Sequence, residues 1–382
     1  MQDAPYPEQV ARKASTLETL FREVWRAPIA VEPSPAIWHY RNKVDFNFGR
    51  KWYDEKPPEG FVRESVLGFK ARGRWFAPLD IDECRIGPEG LPALLESVRG
   101  WMHAQGLHAF DSRTGEGFLK ILLVREAKRT GQRMVVLITG DGDFDRASFV
   151  EAVQCAFPAT SIYHGIFRGL ADVAFADETE LLDGTPAIEE RLIIAGAARE
   201  LRFRISPFSF FQTNTLAAEK LYAAIRRWVA ATTPTMLYDL YGGAGGIAFA
   251  CADLVHSVHS VDTVASASED GKYNAHVNGI TNVTFTTDKT KNYLKTVIAQ
   301  GGMPPGSSAI VDPPRSGMTP KALMRLIALH PAHILYVSCN PPVFARELPA
   351  FLEAYRLTGL QAIDMFPHTD HVELLASFSQ PH

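Results

Sequence analysis

Cys339 stands in Tyr336-Val337-Ser338-Cys339-Asn340-Pro341, directly after a β-branched apolar run, and Glu373 closes Phe366-Pro367-His368-Thr369-Asp370-His371-Val372-Glu373, 34 residues later. A thiol and a carboxylate, each delivered from a strand end, suit covalent addition to a pyrimidine ring followed by removal of a proton. Such chemistry needs an electrophile, which the rest of the chain must hold. The alternative for Cys339 is a buried apolar thiol, the commoner fate of a single cysteine. Against it, Asn340, Pro341 and Pro342 open a helix, and a helix N-terminus is expected to lower the thiol's pKa and favour thiolate. Cys84, Cys155 and Cys251 lack that setting and read as structural, whereas His368 and His371 flank the carboxylate.

Four further strand ends carry candidate ligands. Asp239-Leu240-Tyr241-Gly242-Gly243-Ala244-Gly245-Gly246 follows an apolar run and leads into a helical stretch over 247–253. Glycines let a ligand approach the backbone, which suits an adenosyl cofactor as well as a dinucleotide pyrophosphate. A tight strand-to-helix turn without a ligand is the bland reading. Asp262, about twenty residues on, sits where an acid commonly hydrogen-bonds ribose hydroxyls, and Asp288 ends the next strand, where an acid can face an adenine amino group. Either can equally be a helix cap. In Asp312-Pro313-Pro314-Arg315-Ser316-Gly317 two consecutive prolines fix the backbone where Asp312 projects, because proline locks φ and cannot continue a ladder.

These residues need a scaffold of strands. Candidate strands over 236–241, 256–262, 283–287, 309–312, 334–338, 361–366 and 374–378 alternate with helical stretches, which implies a seven-stranded, doubly wound α/β sheet. Before it, 43–49, 65–70, 74–78, 121–125 and 134–139 read as short strands and 91–105 and 145–157 as helices, a mixture that makes an α+β domain. Residues 6–26 read as an amphipathic helix with Val10, Leu17, Leu20 and Phe21 near helical spacing, ended by Pro28. The expected division is an N-terminal helix over 1–39, a central α+β domain over 40–195 and the doubly wound domain over 196–382.

Composition bounds the class. At 46% hydrophobic and 21% charged, the 382-residue chain has the balance of an ordinary globular protein. No apolar stretch is long enough to span a bilayer and no signal peptide opens the chain, so a cytoplasmic protein is expected. The four cysteines are separated by 71, 96 and 88 residues, which is not the close spacing of a metal ligand set. A net charge of −4 argues against a polyanionic partner, yet residues 40–133 carry 17 Lys and Arg against 13 Asp and Glu. On charge alone, a phosphate-binding face and an ordinary solvated surface are equally good readings.

Taken together, Tyr40-Arg41-Asn42-Lys43, Phe210-Phe211-Gln212-Thr213-Asn214, the glycine loop, Asp312-Pro313-Pro314-Arg315, Ser338-Cys339-Asn340-Pro341 and the run from Phe366 to Glu373 resemble the RNA 5-methyluridine (uracil-5) methyltransferases, which depend on S-adenosylmethionine. The likeness covers most of the chain. It implies a class I methyltransferase domain with an inserted RNA-binding domain and an N-terminal helix packed on the catalytic part. It makes Cys339 the nucleophile and Glu373 the general base, and it places Gln212, Tyr241, Gly246, Asp262, Asp288 and Asp312 around the cofactor. The implied partner is tRNA or rRNA, met by a monomer with no membrane contact. A flipped uridine is expected to stack on Phe210, with Arg41, Lys43, Arg72, Arg74 and Arg125 as candidates for phosphate contacts. Some relatives carry a four-cysteine iron–sulfur site; only Cys84 lies in that region, so no cluster is expected. Gly246 replaces the usual Asn or Thr and Asp262 the usual Glu, which leaves a non-catalytic RNA-binding relative as the alternative. A nicotinamide oxidoreductase rests on the glycine loop alone and gives Cys339 and Glu373 no shared task.

Overall fold

The computed structural model describes residues 2–55, 58, 61, 63–71, 73–111, 114–171 and 173–381, with the side chains of 74–77 outside the description. Arg72, and the side chain of Arg74, therefore lie outside the described residues. The chain divides into two compact units: Met1–Ile37 with Arg191–Phe203 and Ser209–His382, and Trp38–Glu190 with Arg204–Phe208.

The first unit is built on an eight-stranded sheet in the order Val31–Glu32, Arg356–Ile363, Glu373–Ser379, His333–Ser338, Ser307–Val311, Met236–Leu240, Ser257–Asp262, Val283–Thr287. Glu373–Ser379 runs antiparallel to both neighbours, and the other pairings are parallel. Central strands buried on both faces read as continuous apolar runs; Ser307–Val311 is buried throughout and His333–Ser338 over all but its first residue. Two apolar layers cover the faces. One is centred on Tyr336, Phe344, Phe351 and Phe378, the other on Leu221, Ile225, Phe249 and Leu335.

Seven strands were expected; the eighth, Val31–Glu32, is a two-residue edge pairing with Ala362 and Ile363. So short an element leaves no period in the sequence. The strand expected over 361–366 is instead Arg356–Ile363, because Asp364 and the residues after it are drawn into a turn. The N-terminal helix is Tyr6–Phe21, shorter than the periodicity implied: the Phe21 carbonyl accepts the N–H groups of both Val24 and Trp25 at 2.9 and 2.8 Å and closes it. Its buried stripe is Gln9, Lys13, Leu17 and Phe21, four residues at i, i+4 spacing of which two are polar.

The second unit holds a seven-stranded sheet with the helices Leu91–Ala104 and Arg146–Ala156 against it. In Lys43–Arg50 the alternation is literal, with Val44, Phe46 and Phe48 buried and their neighbours not. Ser161–Ile166 and Glu178–Gly184 were not anticipated; the first interrupts its apolar run with His164 and Gly165, and the second is an exposed, acidic edge strand. Among the described residues no helix is long and apolar enough to cross a membrane.

Candidate active site

Parallel strands bring their carboxyl ends to one edge of a sheet. Asp262 ends Ser257–Asp262, Asp312 follows Ser307–Val311 and Cys339 follows His333–Ser338. The antiparallel Glu373–Ser379 starts at that same edge, with Ser338 paired to Leu374. One residue further on each strand stand Cys339 and Glu373, so register alone makes neighbours of two groups 34 positions apart. The thiol is half-buried and Glu373 is 2% exposed. Gln212 closes the group, its Nε2 donating to Asp312 Oδ2 at 3.5 Å.

Beside them lies a small, partly open cavity whose lining includes Phe210, Gln212, Tyr222, Tyr241, Gly246 and Asp312. Its floor is the glycine turn. A Cβ on Gly242 would meet the buried Asp239 carboxylate at 2.5 Å and collide with Ser260 Oγ, so only glycine lets the loop sit this low. Tyr241 is held at φ 66°, a conformation uncommon for a residue with a Cβ. At Gly246 an added Cβ would stand 2.5 Å from the Tyr222 hydroxyl. The tyrosine thus occupies the space that a side chain at 246 would need. Gly246→Ala should cost ~1–3 kcal/mol of stability, the usual penalty of overpacking, and Tyr222→Phe in the same chain should recover most of it. Urea midpoints of the single and double variants measure both effects.

The electrostatics are those of acids crowded into a dry site. Burial lifts the Asp239 carboxyl to about 7, against the pull of the Ser260 hydroxyl that donates to it at 3.2 Å. Burial also lifts Asp312, helped by the charge of Asp239, and holds Glu373 well above the ordinary carboxylate range, helped by Asp312. For the thiol the expected direction is overturned. Burial, then Glu373 and Asp312, push Cys339 up to about 11, and the Arg315 guanidinium offsets this only in part. The helix Pro341–Leu352 does begin beside it, but burial and two nearby carboxylates favour the neutral thiol. Alkylation of Cys339 by iodoacetamide at pH 8 should therefore be on the order of 100-fold slower than for an ordinary thiol and still rising at pH 10. A rate that levels off below pH 9, followed by peptide mass spectrometry, contradicts this.

The other expected ligands are spread more widely. Asp262 holds the glycine loop, accepting from Gly243 N at 3.0 Å and from Val264 N at 2.9 Å. Asp288 Oδ1 accepts from Lys289 N and Asn292 Nδ2 at 2.7 and 3.2 Å. Neither lines the cavity with Phe210, Gln212, Tyr241, Gly246 and Asp312. Phe210 is 61% exposed at its rim, above Gly243. In the second unit Lys43 and Arg125 are cross-strand partners; Lys43 is paired with Asp45 at 3.1 Å and Arg41 is half-buried. Arg125, a candidate for a phosphate contact, is only 4% exposed.

Sequence reasoning passed over Asp239 and Tyr222. A charged residue inside the apolar run Leu237-Tyr238-Asp239-Leu240 was the available signal for the first; Tyr222 lies on the helix Thr215–Thr232 with no distinguishing pattern.

The model of the tRNA (Uracil-5-)-methyltransferase family matches residues 304–378, the stretch that carries Asp312, Cys339 and Glu373. An uncharacterized RNA methyltransferase of Caldanaerobacter subterraneus is 32% identical over 91% of this chain and 74% of its own length. One from Chlorobaculum tepidum is 33% identical over 91% and 72%. Among solved structures, the Pyrococcus abyssi tRNA (uracil-54, C5)-methyltransferase in complex with S-adenosyl-L-homocysteine is similar with a TM-score of 0.76 and 28% identity, covering 98% of this chain and 84% of that one. Its likeness extends to the class I fold. The chain belongs to the S-adenosylmethionine-dependent RNA (uracil-5-)-methyltransferase family.

Proposed function

We propose that the chain methylates C5 of a uridine in tRNA or rRNA through a covalent adduct between Cys339 and C6 of the base. The supporting observation is the register that makes neighbours of Cys339 and Glu373 at the crevice edge of the sheet, beside the linked pair Gln212 and Asp312. C5 of uracil is too weak a nucleophile to act unaided. Addition of the Cys339 sulfur at C6 turns the ring into an enolate, with charge on O4 and nucleophilic character at C5. When bound, S-adenosylmethionine supplies the electrophilic methyl group that C5 takes up. Glu373 then accepts the C5 proton, and expulsion of the sulfur restores the ring.

The residues fit an adenosyl donor. The glycine turn admits close approach because side chains are excluded there, while Asp262 would take the ribose, as an acid after the glycine loop does in sheets of this kind, and Asp288 the adenine. Tyr241, Gly246 and Gln212 would line the remainder. The electrostatics suit the proton steps. A carboxylate whose conjugate acid is favoured by burial is a better proton acceptor than an exposed one, and Arg315 is the group that favours the thiolate. Phe210, exposed at the rim, would stack on the extruded base. For phosphate contacts Arg41 and Lys43 are carried forward.

The test is tritium release. Unmodified tRNA and rRNA transcripts carrying uridine tritiated at C5, incubated with S-adenosylmethionine, should yield one equivalent of water-borne tritium per methyl group incorporated. The similar Pyrococcus enzyme acts on tRNA, which makes tRNA the first arm. Methyl incorporation without tritium loss sinks the C5 assignment.

A further inference from the structure

Two polar side chains are buried on the N-terminal helix where apolar ones would be ordinary. Gln9 is fully buried, and Lys13 and Asp364 form an ion pair at 2.7 Å whose side chains are 1% and 0% exposed. An enclosed pair of this kind is poor evidence for stability, because desolvation offsets its attraction. Its geometry gives it another role. Lys13 Nζ also donates to the Phe366 carbonyl at 3.0 Å, and Phe366 N donates back to Asp364 Oδ1 at 3.1 Å. One turn earlier, Gln9 Oε1 accepts from His368 N at 2.9 Å, while Gln9 Nε2 meets His368 Nδ1 at 3.0 Å and donates to the Ala4 carbonyl at 2.9 Å.

Apart from the bond to Ala4, all of these fall on residues 364–368, the turn between Arg356–Ile363 and Glu373–Ser379. His368 takes φ 66° there, a conformation that a residue with a Cβ keeps only when its surroundings impose it. Thr369 Oγ1 donates to the Phe366 carbonyl at 2.8 Å and accepts from His371 N at 3.2 Å, which carries the constraint to Val372 and Glu373. On the far side Asn214 Nδ2 donates to the Met365 carbonyl at 3.0 Å.

We propose that Gln9 and Lys13 are positioning residues for the reaction: the helix Tyr6–Phe21 grips the 364–368 turn and so fixes where the Glu373 carboxylate stands relative to the base it deprotonates. The inference rests on the assignment of Glu373 as base. A carboxylate that swings free delays proton removal but not the earlier addition of sulfur, so loosening the grip stalls the enzyme at the methylated adduct.

The variants are Gln9→Ala and the double Lys13→Met, Asp364→Leu, which removes both buried charges together and avoids stranding one. Each is incubated with S-adenosylmethionine and whichever unmodified transcript the wild type methylates, with Glu373→Gln in parallel. Expected are a kcat roughly 10- to 100-fold lower, of the size that misplaced catalytic groups produce, an unchanged KM for RNA, and an enzyme–RNA adduct that survives denaturing electrophoresis. Wild-type kcat overturns the proposal. So does a lowered Tm with full kcat recovered on cooling and no adduct, because the grip is then ordinary packing. If Glu373→Gln itself accumulates no adduct, the base assignment is what fails.

Discussion

Cys339→Ala should fold, bind S-adenosylmethionine as the parent does, and transfer methyl groups more slowly by a factor of about 10⁴ or more, the scale on which loss of a nucleophile acts when no other group can form the intermediate. The expected effect is this large because C5 has no alternative route to nucleophilic character. Incubation with RNA containing 5-fluorouridine gives the sharper readout. Fluorine at C5 cannot leave as a proton does, so the parent enzyme should stop as a covalent complex, and the alanine variant should form none. A persisting adduct would remove Cys339 from its role. Stability should change little, since the thiol is only half-buried and has the acids Glu373 and Asp312 close by.

Glu373→Gln is the second large effect and differs in kind. Sulfur addition and methyl uptake remain open, but the C5 proton has no acceptor, so turnover should fall by about 10²–10⁴, the usual contribution of a general base, with methylated RNA left attached to the protein. The same substitution should stabilise the fold, with a defined pH dependence. Burial and Asp312 raise the folded-state pKa of Glu373, so between the unfolded and folded values the native state holds more protons than the unfolded one and stability declines as pH rises. Glutamine carries no such penalty. Its advantage should be absent near pH 4 and grow through neutrality, each tenfold difference in proton affinity being worth about 1.4 kcal/mol. Urea midpoints of parent and variant at pH 5 and pH 8 decide it: an advantage that shrinks with pH would contradict the raised value. On the proposed role of Glu373, the site trades stability for a strong proton acceptor, as functional sites commonly do.

What could be read from the sequence was local. Strands buried on both faces announce themselves as apolar runs, and those ending in Asp239 to Gly246, Asp312 to Arg315 and Ser338 to Pro341 carried the chemistry in adjacent letters. The family likeness followed from the same stretches. Features that depend on the assembled fold were silent. The thiol's resistance to ionisation comes from its burial and then from Glu373 and Asp312, neither adjacent to it in sequence, and a helix read by itself gives the opposite sign. Lys13 is an unremarked lysine on an amphipathic helix until Asp364 arrives from the other end of the chain. Arg125 has the residue type for phosphate binding, but its burial is decided by the sheet around it.

The order of synthesis bears on the sheet of the first unit. Its strand Glu373–Ser379 lies inside the sheet, between Arg356–Ile363 and His333–Ser338, and the edge Val31–Glu32 pairs with residues made more than three hundred positions later. A nascent chain emerges N-terminus first, so the pairing of Val31 and Glu32 must wait until Ala362 and Ile363 have been translated. The second unit, by contrast, draws only on Trp38–Glu190 and the nearby Arg204–Phe208 and can collapse while ribosomes are still at work. The sheet is consequently closed only once Glu373–Ser379 has been made, and a chain truncated before that strand has an open gap between Arg356–Ile363 and His333–Ser338.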